Sequence, residues 1–91
     1  MYERETAVTN KTGLHAKPAA DFTLHATRFV SEITLKNLDN GKTGDAKSII
    51  SVMAMEISKG TRIAIRADGD DEAAAVDKLV SLVEAGMGEE E

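Results

Sequence analysis

Two stretches of this chain alternate between apolar and polar residues, and in each the apolar residues occupy one face only. Arg62 to Ala67 sets Ile63 and Ile65 against Arg62 and Arg66, and Ser31 to Lys36 sets Ile33 and Leu35 against Glu32, Thr34 and Lys36. Successive side chains of a strand point to opposite faces, so these segments predict a sheet with one side in a core and the other in water. An antiparallel sheet covered by helices on one side meets that requirement.

The remaining segments supply the covering. Tyr2 to Val8 reads as a first strand, its alternation blurred by Glu3, Arg4 and Glu5. After a polar connection from Thr9 to Gly13, Ala16 to about Phe29 reads as a helix, with Ala19, Phe22, Ala26 and Phe29 at spacings of three and four. Asn37 to Gly44 turns through an Asn40-Gly41 pair, so a short strand around Lys42 to Gly44 is predicted to pair back. Lys47 to about Ile57 reads as a short helix with Ile49, Ile50, Met53 and Ile57 along one side. Ser58-Lys59-Gly60 leads out of it to the strand at Arg62. Asp68-Gly69-Asp70-Asp71 is predicted to turn and cap a last helix lined by Ala75, Val76, Leu79, Val80 and Val83 and stopped at Gly86. Those acids lack the twelve-residue loop and terminal glutamate of a calcium site, so capping is preferred. The order βαββαβα with single-faced strands describes an α+β open-faced sandwich. Pattern alone leaves the strand order open.

With 91 residues the chain makes one small domain, read as residues 1–88 followed by an acidic tail at 89–91. Sixteen acidic against 11 basic residues, a formal charge of −5, argue against a nucleic-acid partner. No apolar run reaches spanning length, and Met1-Tyr2-Glu3-Arg4-Glu5 lacks the apolar core of a signal peptide, so the expected location is the cytoplasm without membrane insertion. The absence of cysteine agrees with that location. No cofactor is expected.

One stretch carries chemistry: Thr12-Gly13-Leu14-His15-Ala16-Lys17-Pro18-Ala19-Ala20. Pro18 suits a first helical turn and Gly13 a flexible turn before it, which places His15 at a loop-to-helix join. The first amides of a helix have no internal partner and lie at the positive end of its dipole, so an anion beside His15 would meet amides of residues 16 and 17 and the charge of Lys17. With no cysteine and only His25 as a second histidine, a histidine-rich metal site is excluded and a mixed carboxylate site has little support. His25 lies roughly 15 Å along the helix from His15 and reads as a surface residue bordering the core. A phosphoryl group needs a nucleophilic imidazole and then amides and a cation for its oxygens, and these surroundings supply both. The residues alone leave that reading level with a solvent-exposed capping histidine.

Gly13 to Ala20 resembles the phosphohistidine signature of the HPr family, the histidine-containing phosphocarriers of the bacterial sugar phosphotransferase system, whose usual form is Gly-Leu/Ile-His-Ala-Arg-Pro-Ala. Lys47-Ser48-Ile49-Ile50-Ser51-Val52-Met53-Ala54-Met55 resembles the family's serine phosphorylation site and its short helix. The likeness runs from about Tyr2 to Gly88. Lys17 departs from it, standing where the family has arginine, and the hairpin is slightly longer, which moves the serine to position 48. The resemblance implies a strand order of first, fourth, second, third, with the loop before the first helix beside the start of the second. It also implies that His15 accepts a phosphoryl group at Nδ1, with the Ala16 amide and Lys17 stabilising its oxygens.

The partners it implies are enzyme I, which charges His15, and IIA proteins, which discharge it; the chain is then a carrier and not an enzyme. A short helix cannot turn Ile49, Ile50 and Met53 all inward, so an exposed apolar patch is expected there. The resemblance makes those residues the docking surface. Ser48 at the start of that helix is explained by capping alone. The family adds phosphorylation by an HPr kinase/phosphorylase and, in Gram-positive-type members, binding of the seryl-phosphorylated form to a catabolite repressor. The alternative is a regulatory module acting mainly through Ser48. The expected state is a monomer.

Overall fold

In the computed structural model, which describes residues 1–88, four strands form one antiparallel sheet in the order β1-β4-β2-β3. They are β1 (Tyr2–Ala7), β2 (Glu32–Asn37), β3 (Thr43–Asp45) and β4 (Arg62–Asp68), and the helices are α1 (Ala16–Ala26), α2 (Ile49–Ala54) and α3 (Glu72–Glu84). The order βαββαβα and the open-faced sandwich are as the sequence and the resemblance predicted. The acidic tail at 89–91 lies outside the described residues.

The alternating strands place the core. Ile33 and Leu35 of β2 and Ile63 and Ile65 of β4 are buried, with Leu35 directly opposite Ile65. Phe22, Ala19 and Ala26 of α1 and Val76, Leu79, Val80 and Val83 of α3 close over them. The other face is wet and charged, with Arg62 paired to Glu5 at 3.1 Å and Arg66 to Glu3 at 3.5 Å. Exposed pairs of this kind contribute little stability, so the helix-covered side holds the fold together.

Both shorter helices end sooner than their apolar spacing predicted. α1 stops at Ala26 instead of near Phe29: Arg28 N–H donates to the His25 carbonyl, Phe29 N–H to that of Ala26, and Thr27 Oγ1 to that of Leu24, so the last turn tightens and closes. α2 spans Ile49–Ala54 instead of Lys47 to about Ile57. Lys47 stays outside because Ser48 is the N-cap. At the other end Glu56 takes a left-handed backbone, φ 58°, and the Met55 carbonyl accepts from the side-chain amides of Asn37 and Asn40. Lys42 holds the Glu56 carboxylate at 2.5 Å, and that hydrogen bond together with the lysine's charge pulls the carboxyl below its ordinary range.

The predicted cap of α3 is corrected as well. Asp71 occupies the N-cap position without capping. Its carboxylate instead accepts from Val30 N–H, Ser31 N–H and Ser31 Oγ, joining the α3 start to the α1–β2 connection. The Ser31 hydroxyl bond, followed by the Val30 amide, lowers the Asp71 pKa. Gly69 meets Ser31 so closely there that an added Cβ would lie 2.5 Å from its Oγ. At the far end Gly86, φ 74°, ends the helix as expected, and Met87 folds back as a buried plug.

Candidate functional site

The loop carrying His15 is fixed by its own backbone. Val8 N–H donates to the Thr61 carbonyl and Gly60 N–H to that of Val8. Gly13 N–H donates to the Asn10 carbonyl, and the buried Asn10 side chain returns a 2.9 Å bond to the Gly13 carbonyl. Leu14 is fully buried, and its N–H reaches the Ile57 carbonyl at 3.0 Å. Gly13 has φ 64° and lies so near α2's exit that a Cβ would sit 2.3 Å from the Ile57 oxygen. Only glycine fits this crossing. The anchor of the loop is therefore residues 57–61; the sequence marked the exit turn there, but not its long-range contact with the His15 loop.

His15 is the N-cap of α1, extended at φ −127° and ψ 155°, and half-buried. Its side chain makes no capping hydrogen bond, so the imidazole is not spent on the helix. Ala16 follows in a left-handed conformation, φ 52°, which costs an alanine about 1–2 kcal/mol. Strain of that size persists where surrounding structure enforces it, and here it falls on the residue next to the candidate nucleophile. Pro18 is buried in the first turn. By helix geometry the amides of Ala16 and Lys17 have no intrahelical acceptor.

Lys17 does not turn toward His15. Its ammonium pairs with Asp21 Oδ2 at 2.9 Å, one turn along, and its side chain is 84% exposed. The i, i+4 spacing of these two residues was the available signal for this pair.

Ser48 caps α2 as expected, its Oγ accepting from Ser51 N–H at 3.3 Å, and it is half-buried. Of the residues predicted along one side of this helix, Ile57 is fully buried beyond the helix end, while Ile49, Ile50 and Met53 are all exposed, Ile50 at 80%. The inward face is made by Val52 and Met55. α1 and α2 pack on each other head to tail: Leu14, before α1, bonds to Ile57 after α2, and Lys47 Nζ bonds to the Phe29 carbonyl after α1. The bonds thus bring the His15 loop to the exit of α2 and the start of α2 to the far end of α1, where the resemblance had paired that loop with the start of α2. His25 lies in the last turn of α1, remote in sequence from the join.

Among the described residues no group of histidine and acidic side chains is arranged to hold a metal ion, and no helix is long and apolar enough to cross a membrane. Residues 2–85 match the family described as "PTS HPr component phosphorylation site". The phosphocarrier protein HPr of Cupriavidus necator is 40% identical over 91 residues, all of both chains. The HPr-like protein Crh of Bacillus subtilis is 40% identical over 84 residues, 92% of this chain and 96% of that one. The crystal structure of HPr-C-His from Thermoanaerobacter tengcongensis superposes with a TM-score of 0.94 at 42% identity, covering all of both chains. A second structure from that organism, described as an HPr dimer, gives 0.76 over 98% of this chain and all of that one.

Proposed function

The chain belongs to the HPr family of phosphocarrier proteins, and from that membership we propose that it relays a phosphoryl group on His15 between enzyme I and sugar-specific IIA proteins. The observation that carries the reading is the imidazole at the open end of α1, free of any capping bond and followed by first-turn amides. Nδ1 attacks the phosphorus held by enzyme I; the nitrogen–phosphorus bond forms as the donor's bond to phosphorus breaks. Transfer to a IIA protein runs the same exchange outward. The chain lowers no barrier for a reaction of its own and ends each cycle unchanged, so it is a carrier.

The phosphoryl oxygens are received by the amides of Ala16 and Lys17 and by the Lys17 ammonium. For that the ammonium has to exchange Asp21 for phosphate. An exposed i, i+4 pair is worth only about 0.2–0.5 kcal/mol, so a doubly charged phosphoryl group takes the lysine readily. Ile49, Ile50 and Met53 form the surface on which enzyme I and IIA proteins dock. Phosphorylation of Ser48 by an HPr kinase/phosphorylase sets roughly two negative charges beside that surface, favourable to the helix and unfavourable to an apolar partner. The carrier works as a monomer in the cytoplasm.

A regulatory module acting through phosphorylated Ser48 and a catabolite repressor is the second reading, consistent with the 40% identity to the Crh proteins, which equals that to the HPr phosphocarrier of Cupriavidus necator. One experiment separates the two. The chain is incubated with phosphoenolpyruvate and enzyme I, the modified residue is mapped, and its acid lability is tested beside His15→Ala. Acid-labile phosphate on His15, absent from the variant, establishes the carrier. No transfer, with ATP-dependent labelling of Ser48 by the kinase, establishes the regulator.

A further inference from the structure

The methionines of this chain differ sharply in access. Met55 and Met87 are 2% and 5% exposed, locked in the core, whereas Met53 is 41% exposed. A Cβ placed on Gly44 would lie 3.3 Å from the Met55 sulfur, which shows how closely that thioether is walled in. Met53 follows Ile50 by three residues and Ile49 by four, the spacing that puts side chains on one face of a helix. The chain has no cysteine, so no thiol competes for an oxidant. Met1 is also exposed, but its amine is bonded to Glu72 at the start of α3, away from the patch.

We propose that Met53 is a modification site: a peroxide converts it to the sulfoxide, and this turns off docking at the Ile49–Ile50–Met53 surface. The inference rests on the reading of that surface as the docking face. A sulfur lone pair attacks one peroxide oxygen, a sulfur–oxygen bond forms and the oxygen–oxygen bond breaks. The second oxygen leaves as water or an alcohol, so the thioether loses two electrons and the peroxide gains them. The product is a strong hydrogen-bond acceptor without a donor, set among isoleucines whose partner surface is apolar, where an unmatched polar group is unfavourable. Sulfoxide reductases reverse the change, so the site acts as a switch. Ser48 phosphorylation and Met53 oxidation thereby make the same patch polar by two routes.

The test treats the intact chain with limited hydrogen peroxide, maps sulfoxides by peptide mass spectrometry, and measures kcat/KM for phosphoryl transfer from enzyme I. Met53 is expected to oxidise at least roughly tenfold faster than Met55 or Met87, and kcat/KM to fall about tenfold with an unchanged thermal midpoint. Sulfoxide reductase restores the rate. In Met53→Leu, whatever its own rate, the ratio of treated to untreated kcat/KM stays at one although Met1 is still oxidised. The proposal is overturned if Met53 oxidises no faster than Met55, if its full oxidation leaves kcat/KM within about twofold, or if the loss follows unfolding. Ile50→Lys identifies which idea has failed. Slow transfer in Ile50→Lys with no effect of Met53 oxidation keeps the docking face and rejects the switch, whereas normal transfer in both rejects the docking face itself.

Discussion

Replacing Gly13 by alanine tests how the His15 loop is held. The new Cβ would lie 2.3 Å from the Ile57 oxygen and 2.6 Å from Ser58 Cα, both backbone atoms, so no flexible side chain can move aside. The left-handed backbone at φ 64° adds about 1–2 kcal/mol for any L side chain. To relieve the contact the loop must lift, which removes the Leu14–Ile57 hydrogen bond, worth about 0.5–1.5 kcal/mol, and uncovers part of a Leu14 side chain whose full burial contributes about 1.5–3 kcal/mol. The expected loss is about 3–5 kcal/mol, a fall in thermal midpoint of about 15–30 °C in a domain of this size. Gly41→Ala is the control. Gly41 has φ 81° with nothing within 4 Å of a Cβ, so it incurs only the backbone cost of about 1–2 kcal/mol. The change in unfolded-chain entropy is the same in both variants and cancels. Urea and thermal unfolding measure the gap between them. A gap below about 1 kcal/mol would refute the close crossing of the loop over residues 57 and 58.

Asp71→Asn removes a carboxylate whose pKa is lowered by Ser31 and Val30, so the native carboxylate contributes stability above its unfolded value near 4 that is lost as pH falls through the folded pKa. Urea midpoints are therefore expected to favour the parent at pH 7 and to converge on the variant's as the solution is taken below about pH 4. Ser48→Ala loses the bond to Ser51 N–H and about 1 kcal/mol, about 4–8 °C in thermal midpoint, whereas Ser48→Asp keeps a capping oxygen and its stability but slows transfer from enzyme I. Asp21→Asn frees Lys17 and is expected to speed transfer by up to about twofold, an effect that vanishes in a Lys17→Gln background. Lys17→Arg, with a planar fork for two phosphoryl oxygens, is also expected to speed it; stopped-flow transfer kinetics read both.

The parts of the fold that were legible in the sequence are those governed by periodicity. β2, β4 and the buried face of α3 stand where their alternation and spacing put them. β1 was blurred because its helix-side residues sit at the sheet edge and face the polar flank of α3, Tyr2 and Arg4 bonding Asp77 and Thr6 bonding Glu84. The end of α1 was misjudged because a local tightened turn closes it before the apolar spacing runs out, and that of α2 because distant residues set it. Nothing local marks Met55 as a terminus, since Asn37 and Asn40 supply its carbonyl's donors, and Glu56 takes a backbone usually left to glycine or asparagine. The strand order came from the resemblance, because single-faced strands can be permuted without exposing their apolar sides. At the site, Gly13 and Pro18 announced the join at His15. The strain at Ala16 and the anchor at Ile57 are tertiary and left no local trace, whereas the Lys17–Asp21 pair was present in the i, i+4 spacing.

The central claim is carriage, and it is tested by following one phosphoryl group through the chain. Protein charged on His15 is separated from enzyme I and phosphoenolpyruvate, mixed with a IIA protein, and observed by 31P NMR. Loss of the phosphohistidine signal matched by a new signal on the IIA protein, and absent with His15→Ala, is the predicted result. Phosphate that stays on His15, or leaves only as inorganic phosphate, would contradict it.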